Sequence, residues 1–350
     1  MISYVLPLRC DSCAAGEHDE LARYLRRLSA DATVIVVDGS SWLSYARHGR
    51  QFAPDVVHMP LDPDVERFAN GKVAGVTTGV RAATTERVII ADDDVRYTAA
   101  GLAAAARALD HADLVVPQNV FAGSPQPWHA RWDGARSLLN RAIDFDPPGT
   151  LALRRSAFVA AGGYDGDVLF ENLELIRTIA ANGGRIAVRR DLAVERLAPT
   201  AQRFWEQRVR QAYDEFARPG RLIAFLAIVP GVVTLTRRMR WAPAAVAAAS
   251  IGIAEFGRRR DGGTTMFGAT TSLFAPLWVA ERAATSWLAV GSRVLRGGVD
   301  YRGRVLTRSA TPMRRLRDRR ATAPPHVSRR TAAWSESAHT GTAARSNAGS

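Results

Sequence analysis

Short apolar runs and longer helix-favouring runs alternate along residues 1–200. Apolar runs bounded by turn residues are typical of buried strands, and they occur at residues 2–6, 33–37, 56–59, 87–91, 114–117 and 149–153. Helical periodicity or composition marks residues 17–28, 71–83, 99–109 and 171–181. Strands and helices that alternate in this way favour an α/β fold with a mostly parallel sheet.

Two later stretches depart from this alternation. Residues 121–148 are rich in Pro, Trp, Asp and Arg and show no clear period, so we expect a binding loop or lid there. Residues 200–218 have the period of an amphipathic helix with Trp205 on its apolar stripe. The polar side of that helix carries Gln207 and Arg210. Taken alone, this pattern predicts a face exposed to solvent, and only other features of the chain would give these residues a role in binding a ligand.

The chain changes character after residue 220. Apolar runs at residues 222–236, 241–256 and 266–280 are separated by clusters of arginines. Each run is shorter than the roughly 20 residues that cross a bilayer comfortably, so we expect a re-entrant or interfacial hairpin, with a soluble helical subdomain as the alternative. From about residue 309 the composition turns to Arg, Ser, Thr and Ala, which is typical of a disordered tail.

These changes predict three regions. An α/β domain covers residues 1–220, an apolar, membrane-associated helical region covers residues 221–295, and a basic, disordered tail covers residues 296–350.

The net charge narrows the choice of partners. With 47 Lys and Arg against 34 Asp and Glu, the chain carries a formal charge of +13, which attracts phosphates, anionic lipid or nucleic acid. The arginines crowd the apolar final third and the sequence has no nucleic-acid-binding motif, so the predicted partner is a membrane surface and not nucleic acid. The amino terminus is too short and uncharged for a signal peptide, and we expect the first domain on the cytoplasmic side.

Three consecutive carboxylates, Asp92, Asp93 and Asp94, follow the apolar run at residues 87–91. A buried parallel strand would place them at its carboxyl end, where open α/β sheets bind ligands. Crowded carboxylates repel one another unless a cation neutralises them, and Mg²⁺ or Mn²⁺ takes oxygen ligands that it shares with substrate phosphates. The pattern predicts a metal and phosphate site, with a helix N-cap or an Asp-rich turn as the structural alternative.

In their order along the chain, these features resemble the family-two glycosyltransferases of the GT-A fold, a Rossmann-like nucleotide-diphospho-sugar transferase architecture. The similarity is in particular to the membrane-associated branch that includes ceramide glucosyltransferase and bacterial hopanoid glycosyltransferases. It covers about residues 1–220 in order, followed by a looser part with apolar helices. The matching pieces are Asp-Gly-Ser at 38–40, Gly71-Lys72 with Gly79, the acids at 92–94, Gly-Gly-Tyr-Asp at 162–165, Glu-Asn-Leu-Glu-Leu at 171–175, Gln-Arg-Val-Arg at 207–210 and Tyr-Arg-Gly-Arg at 301–304.

The resemblance implies a nucleotide-sugar donor, commonly a uridine diphosphate sugar. Asp38 would accept a hydrogen bond from the base, and Lys72 belongs to the same donor site. Asp92 and Asp93 would hold the ribose or metal-bound water. Asp92 and Asp94 form an Asp-x-Asp pair for Mn²⁺ or Mg²⁺, with Asp94 as the direct ligand, and the metal neutralises charge on the leaving diphosphate.

Gln207 and Arg210 match the first part of a Gln-x-x-Arg-Trp motif, in which the arginine holds the diphosphate as charge develops. Gln211 stands where that motif has its Trp, so the resemblance implies nothing about stacking on the acceptor.

The chain departs from the family at the general base, which is usually the Asp of a Glu-Asp pair and here is Asn172. Asn cannot take a proton from an acceptor hydroxyl. Glu171 or Glu174 acts as the base, or the acceptor is already anionic, or the protein transfers nothing. A carboxylate substitute is favoured, because Glu171 and Glu174 lie one turn apart on one helix face and can point together into a cleft.

The implied function is metal-dependent, inverting transfer of a sugar, of the hexosyltransferase type, to a lipid or lipid-linked hydroxyl at the cytoplasmic membrane face. Two alternatives stay open. One is a nucleotidyltransferase, although residues 8–11 make a poor phosphate loop. The other is a non-catalytic, membrane-bound scaffold that binds a nucleotide-sugar and has Asn172 in place of a base.

Overall fold

The computed structural model of the chain describes residues 1–11, 15–301 and 303–322. Its strands are β1 (Ile2–Leu8), β2 (Thr33–Asp38), β3 (Val57–Pro60), β4 (Arg87–Ala91), β5 (Val95–Arg96), β6 (Leu114–Phe121), β7 (Thr150–Arg154), β8 (Ile186–Arg196), β9 (Val299–Tyr301) and β10 (Arg304–Leu306). Its α-helices are α1 (Ala15–Leu28), α2 (Trp42–Phe52), α3 (Gly71–Ala82), α4 (Ala99–Ala108), α5 (Trp128–Ile143), α6 (Arg155–Ala160), α7 (Glu171–Ala181), α8 (Ala201–Glu206), α9 (Arg208–Tyr213), α10 (Pro219–Arg238), α11 (Ala242–Arg259), α12 (Gly263–Met266), α13 (Ala275–Arg296) and α14 (Met313–Thr322). Short 3₁₀ helices cover Asp214–Ala217 and Ala269–Phe274.

Eight strands form one sheet in the order β3-β2-β1-β4-β7-β6-β8-β5. β3, β2, β1 and β4 run parallel, β7 lies antiparallel between β4 and β6, and β8 is parallel to β6. β5 pairs antiparallel with β8 at one edge, and β9 and β10 form a separate hairpin. The predicted α/β fold with a mostly parallel sheet is confirmed.

Helix α3 lies directly on β1 because two of its residues have no side chain. A Cβ on Gly75 would lie 2.6 Å from Cβ of Pro7, and a Cβ on Gly79 would lie 2.3 Å from Cγ1 of Val5. Any larger residue would push the helix off the sheet. This close packing holds the start of α3, with Lys72, at the carboxyl edge of the strands.

Residues 121–148 are not the irregular loop that their composition predicts, because Trp128–Ile143 form α5. The buried face of this helix carries polar side chains, so the apolar period that marks an amphipathic helix is absent. The buried polar residues of α5 are His129, Asp133, Ser137, Asn140 and Arg141.

The single helix predicted over residues 200–218 is instead α8, α9 and a 3₁₀ helix in succession. Its buried side also differs from the prediction, since Trp205 is 52% exposed whereas Phe204 and Arg208 are buried. The guanidinium of Arg208 donates hydrogen bonds of 2.7 and 3.1 Å to the carboxylate of Asp133 on α5. A buried charged pair, and not Trp205, therefore packs this segment against α5.

Strand β8 has no counterpart in the sequence prediction. Its 11 residues include charged side chains at interior positions, so they do not alternate between apolar and polar. The register with β6 also jumps, because Pro117 pairs with Arg189 and Gln118 with Ala193. Arg196 is the last residue of the strand and therefore lies at the carboxyl edge of the sheet.

The first two apolar runs coincide with α10 and α11, and the third is divided between a 3₁₀ helix and the start of α13. These helices pack with α5 around a cluster that includes Leu138, Ala254 and Trp278. Within the described part of the chain, α10 is the one helix long and apolar enough to cross a membrane, by length and composition. Large apolar side chains of α10 and α11 stay exposed, such as Ile223 at 67% and Phe256 at 57%.

The disordered tail predicted over residues 296–350, with its change of composition from about residue 309, does not hold for the described residues up to 322, where β9, β10 and α14 lie. The backbone N–H of Thr311 donates a hydrogen bond of 2.5 Å to Oε2 of Glu174, and α14 packs on α7 with Leu316 buried. These contacts are with distant parts of the chain, so the local composition does not reveal them. The rest of the predicted tail, residues 323–350, lies outside the described residues.

Candidate functional site

A cleft of about 650 Å³ opens at the carboxyl ends of β1, β4 and β8. The starts of α3 and α7, the segment from α8 to α9, and the end of β9 complete its wall. This is the edge at which open α/β sheets bind ligands. Of the predicted site residues, all but Asp38 and Glu174 line the cleft: Lys72, Asp92, Asp93, Asp94, Glu171, Asn172, Gln207 and Arg210.

The three carboxylates that follow β4 lie together in the cleft, as predicted. Burial raises the pKa of Asp92 to about 6, with Lys72 opposing the shift and Asp94 and Glu171 adding to it. Burial and the charge of Asp94 likewise raise the pKa of Asp93. Enclosed acids of this kind are stabilised by a cation.

Two cationic side chains face these acids. Nζ of Lys72 is 2.5 Å from Oδ1 of Asp92 and 2.8 Å from Oε1 of Glu171. At the end of β8, Arg196 donates from Nη2 and Nε to Oδ2 of Asp94, at 2.5 and 3.2 Å. Although burial opposes it, the neighbouring acids raise the pKa values of Lys72 and Arg196, so both stay charged.

The acids fit a metal ion if a ligand supplies further oxygens. Among the residues that the structure describes, no group of three or more His, Cys, Asp or Glu side chains is arranged to hold a metal. Asp92 and Asp94 each turn one oxygen to a cation, and the other oxygen of Asp94, Oδ1, is buried without a hydrogen-bond partner. One or two carboxylates completed by phosphate oxygens and water are the common setting of Mg²⁺ in phosphate sites. Asp92 and Asp94 are therefore the residues that would hold Mn²⁺ or Mg²⁺.

Gly149, just before β7, determines where Asp92 sits. Its carbonyl oxygen accepts the backbone N–H of Asp92 at 2.9 Å, and its own N–H donates to Oδ1 of Asn119 at 2.7 Å. A Cβ at this position would lie 2.7 Å from Oδ2 of Asp92. A side chain here would displace the carboxylate, so glycine is required for the geometry of the acids.

The start of α7 contributes one carboxylate to the cleft, and not two. Glu171 lines the cleft, whereas Glu174 is fully buried outside it, with Oε2 accepting the N–H of Thr311 and Oε1 unpartnered. The expectation that both acids point into the cleft does not hold, because the segment with Thr311 packs against Glu174. Asn172 is also held, since its Nδ2 donates to the carbonyl oxygen of Pro148 at 2.7 Å.

Asp38 ends β2, but its carboxylate is buried away from the cleft. Its Oδ2 lies 2.6 Å from Nδ1 of His48 and 3.0 Å from Nε2 of His58, and its Oδ1 accepts the N–H of Ser40 at 2.9 Å. Burial opposes ionisation, but the hydrogen bonds from His58, Ser40 and His48 hold the pKa of Asp38 well below its usual range. Asp38 is predicted to accept a hydrogen bond from the base, but both of its oxygens are engaged by these neighbours, and the next residue, Gly39, lines the cleft instead.

Gln207 and Arg210 form part of the opposite wall with Gln211. The guanidinium carbon of Arg210 lies 5.5 Å from the ring centroid of Tyr301. Tyr301 opens the segment at 301–304 that the resemblance singles out, in which residue 302 lies outside the described residues. The hairpin of β9 and β10 thus returns to the cleft.

Arg196 and Asp214 are among the charged residues of this cleft that sequence reasoning missed. Arg196 belongs to β8, which has no sequence signal of a strand. Asp214 lies where the sequence predicts the solvated face of a helix, yet its Oδ1 is buried without a partner. Burial raises the pKa of Asp214 to about 8, with Arg210 opposing the shift.

No protein-family model matches the chain, and no curated protein matches it significantly. Among solved structures it is similar to the mannosyltransferase PcManGT from Pyrobaculum calidifontis in complex with GDP-Man and Mn²⁺, at 17% identity over 82% of this chain and 86% of that one, with a TM-score of 0.47. It is also similar to S. aureus TarS 1-349, at 14% identity over 87% and 95% of the chains, with a TM-score of 0.41. A third is glucosyl-3-phosphoglycerate synthase from Mycobacterium tuberculosis with Mn²⁺, UDP-Glc and phosphoglyceric acid, at 15% identity over 58% and 74%, with a TM-score of 0.38.

Proposed function

We propose that the chain transfers a glycosyl group from a nucleotide-sugar to an acceptor, with Mn²⁺ or Mg²⁺ as cofactor. The observation that carries this proposal is the arrangement at the strand ends, where Asp92 and Asp94 face Lys72 and Arg196. Carboxylates that can hold a divalent ion, next to fixed cations that can hold a diphosphate, are what the departure of a nucleoside diphosphate requires.

The donor would lie with its diphosphate between the end of β4 and Arg210. Lys72 and Arg196 supply permanent positive charge on one side, and Arg210 supplies it on the other. A metal ion held by Asp92 and Asp94 would neutralise charge that develops on the leaving diphosphate.

The base of the donor would lie at the far end of the cleft, where Leu8, Gly39 and Leu61 form the wall. Asp38 acts there as a positioning residue, because its carboxylate fixes the turn through the N–H of Ser40. Since the carboxylate itself is occupied, recognition of a base falls to the backbone of this turn. A uridine diphosphate sugar is the first donor to test.

Transfer would be a direct displacement. An oxygen of the acceptor forms the new bond to the anomeric carbon while the bond to the diphosphate breaks, which inverts that carbon. Glu171 is the carboxylate of α7 that lines the cleft and would take the acceptor's proton, since Asn172 cannot. The ammonium of Lys72, 2.8 Å away, orients the Glu171 carboxylate.

We also propose a lipid or lipid-linked acceptor at the cytoplasmic face of a membrane. The support is the exposed apolar surface of α10, because only 6% of its apolar stretch is buried. Contiguous apolar surface of this kind marks a membrane or partner contact. The exposed apolar side chains of α10 are Ile223, Val229, Val233 and Leu235.

A non-catalytic scaffold that binds a nucleotide-sugar is the second candidate. It is favoured by Asn172, whose side chain donates to the carbonyl oxygen of Pro148 and so has a structural role where the related enzymes have their base. Both candidates bind the donor, and turnover distinguishes them.

The test is nucleotide release by the full chain in detergent, with UDP-, GDP- and dTDP-sugars, Mn²⁺ and a membrane lipid extract. We expect release of one nucleotide that depends on the metal and falls at least about 100-fold in Asp94→Asn. The exposed Asp31→Asn is the matched control and should behave as wild type. Donor binding without release on any lipid would favour the scaffold, and binding of none of the donors would contradict both candidates.

A further inference from the structure

A second, smaller cavity adjoins the deep end of the cleft, with a volume of about 40 Å³. A space of this size holds a few waters or one phosphate or carboxylate group. Phe170 lines both spaces and immediately precedes Glu171, so the small cavity lies beside the start of α7. The lining residues common to the two spaces are Arg136, Pro147, Phe170, Gln211 and Asp214.

Four arginines, Arg136, Arg218, Arg221 and Arg282, line this small cavity, and two of them are neutralised. Nη2 of Arg136 is 3.2 Å from Oδ2 of Asp146, and Nε of Arg221 is 3.1 Å from Oε2 of Glu215. These two pairs involve every acid of the lining except Asp214.

The other two arginines form no direct ion pair with a described carboxylate, and acids such as Glu215 act on them from a longer distance. Arg282 on α13 is 1% exposed, its Nε has no hydrogen-bond partner, and its guanidinium faces the ring of Trp278 at 5.1 Å. Arg218 lies over the ring of Phe145 at 5.7 Å. Neither forms an ion pair within 4.0 Å with a carboxylate that the structure describes. A buried cation without a partner is costly, unless an anion that enters the cavity compensates it.

Asp214, the remaining acid of the lining, does not supply that negative charge. Its Oδ1 is enclosed without a hydrogen-bond partner, and burial raises its pKa to about 8. At neutral pH its carboxyl group is therefore mostly protonated. The cavity has an excess of positive charge beside the start of α7, where Glu171 would take the acceptor's proton.

We propose that this cavity is a subsite for an anionic group of the acceptor, a phosphate or a carboxylate, bound by Arg282 and Arg218. Guanidinium groups bind both anions through charge-assisted, paired hydrogen bonds. That the anion belongs to the acceptor rests on the proposed function, whereas the anion site itself does not.

The test is thermal unfolding of the full chain in detergent as inorganic phosphate replaces chloride at constant ionic strength. Constant ionic strength removes general screening, so that a shift reports a bound ion. Phosphate should raise the Tm of wild type by at least about 2 °C and should leave the Tm of Arg282→Met unchanged. Without phosphate, Arg282→Met should be at least as stable as wild type, because the substitution removes an uncompensated buried charge and keeps an apolar stem.

Three further variants locate the anion. Arg218→Met should weaken the phosphate response and remains informative if Arg282→Met does not fold. Lys72→Met should keep the response, because Lys72 belongs to the donor end of the cleft. The exposed Arg237→Met should respond as wild type. If the increase in Tm is lost in Lys72→Met and kept in both Arg282→Met and Arg218→Met, phosphate binds the donor site and the proposal is overturned. The absence of any increase in wild type would also overturn it.

Two phosphate esters then distinguish a soluble acceptor from a lipid-like acceptor as the molecule that carries the anion. Glycerol 3-phosphate and dodecyl phosphate, the second mixed into the detergent micelle, carry the same group on a soluble and on a lipid-like body. If one or both esters raise the Tm and the increase requires Arg282, the subsite is supported. The ester that raises the Tm then indicates whether the acceptor is soluble or lipid-like. Since no donor is present, a failure of sugar transfer leaves this result intact, and the two proposals can fail separately.

Discussion

Nζ of Lys72 lies 2.8 Å from Oε1 of Glu171 and joins the start of α3 to the start of α7 across the cleft. The same ammonium contacts Asp92 at 2.5 Å. Burial opposes its charge, but these two carboxylates raise the pKa of Lys72, so it stays protonated. Lys72 thus neutralises acids that would otherwise require a metal ion, and an incoming metal competes with it for Asp92.

We therefore expect Lys72→Met to affect metal and nucleotide binding in opposite directions. Without the ammonium, no fixed cation competes with the metal for the carboxylate of Asp92, so Mn²⁺ should bind the ligand-free protein roughly tenfold more tightly. A nucleoside diphosphate should bind roughly tenfold more weakly, because a cation that contacts phosphate is gone. Mn²⁺ titration followed by electron paramagnetic resonance, and calorimetry with UDP, measure the two effects. Unchanged Mn²⁺ affinity would contradict the competition between Lys72 and the metal.

The two acids of α7 should behave differently when each is changed to its amide. Glu171→Gln should lower nucleotide release by about 100-fold or more, since the carboxylate that lines the cleft can no longer take a proton. Glu174→Gln should keep release within about threefold of wild type, because Glu174 is buried against Thr311 and does not line the cleft. Steady-state release with saturating donor measures both. Loss of release in Glu174→Gln alone would show that the carboxylates have the opposite roles.

Gly149→Ala should impair activity far more than stability. The added Cβ would lie 2.7 Å from Oδ2 of Asp92, and the end of a short side chain can move away at little cost to the fold. The carboxylate would then leave its position beside Lys72. We expect nucleotide release to fall at least about tenfold with a Tm change below about 3 °C. Gly291→Ala, where a Cβ meets no atom within 4 Å, is the control and should change neither.

Local signals account for the parts of the cleft that the sequence predicts. The apolar run before the acids predicts the buried strand β4, and the change to acidic residues predicts where this strand ends. Asp92, Asp93 and Asp94 are therefore expected at its carboxyl end. The resemblance adds Lys72 and Arg210, and both line the cleft.

The remainder depends on contacts between distant residues, which no local pattern encodes. Glu174 is turned from the cleft by Thr311, which follows it by 137 residues. The polar face of α5 is buried because Arg208 from α9 pairs with Asp133. Asp38 is withdrawn from the cleft by two histidines that show no ligand spacing in the sequence. In each case a polar group is satisfied by a partner that only the folded chain brings near.

Asp214 should make the stability of the protein fall as pH rises through the neutral range. Its pKa is raised to about 8 in the folded state, whereas an unfolded Asp titrates near about 3.9, so between these values the folded chain holds a proton that the unfolded chain has lost. Stability then decreases with rising pH over that window and is unaffected by this group below it. Asp214→Asn removes the effect, so its stability relative to wild type should increase by roughly 3 to 4 kcal/mol between pH 5 and pH 8. Denaturation at pH 5 and pH 8 measures the free energy of unfolding, and the exposed Asp31→Asn is the control. If the difference between Asp214→Asn and wild type does not depend on pH, Asp214 is ionised in the folded protein.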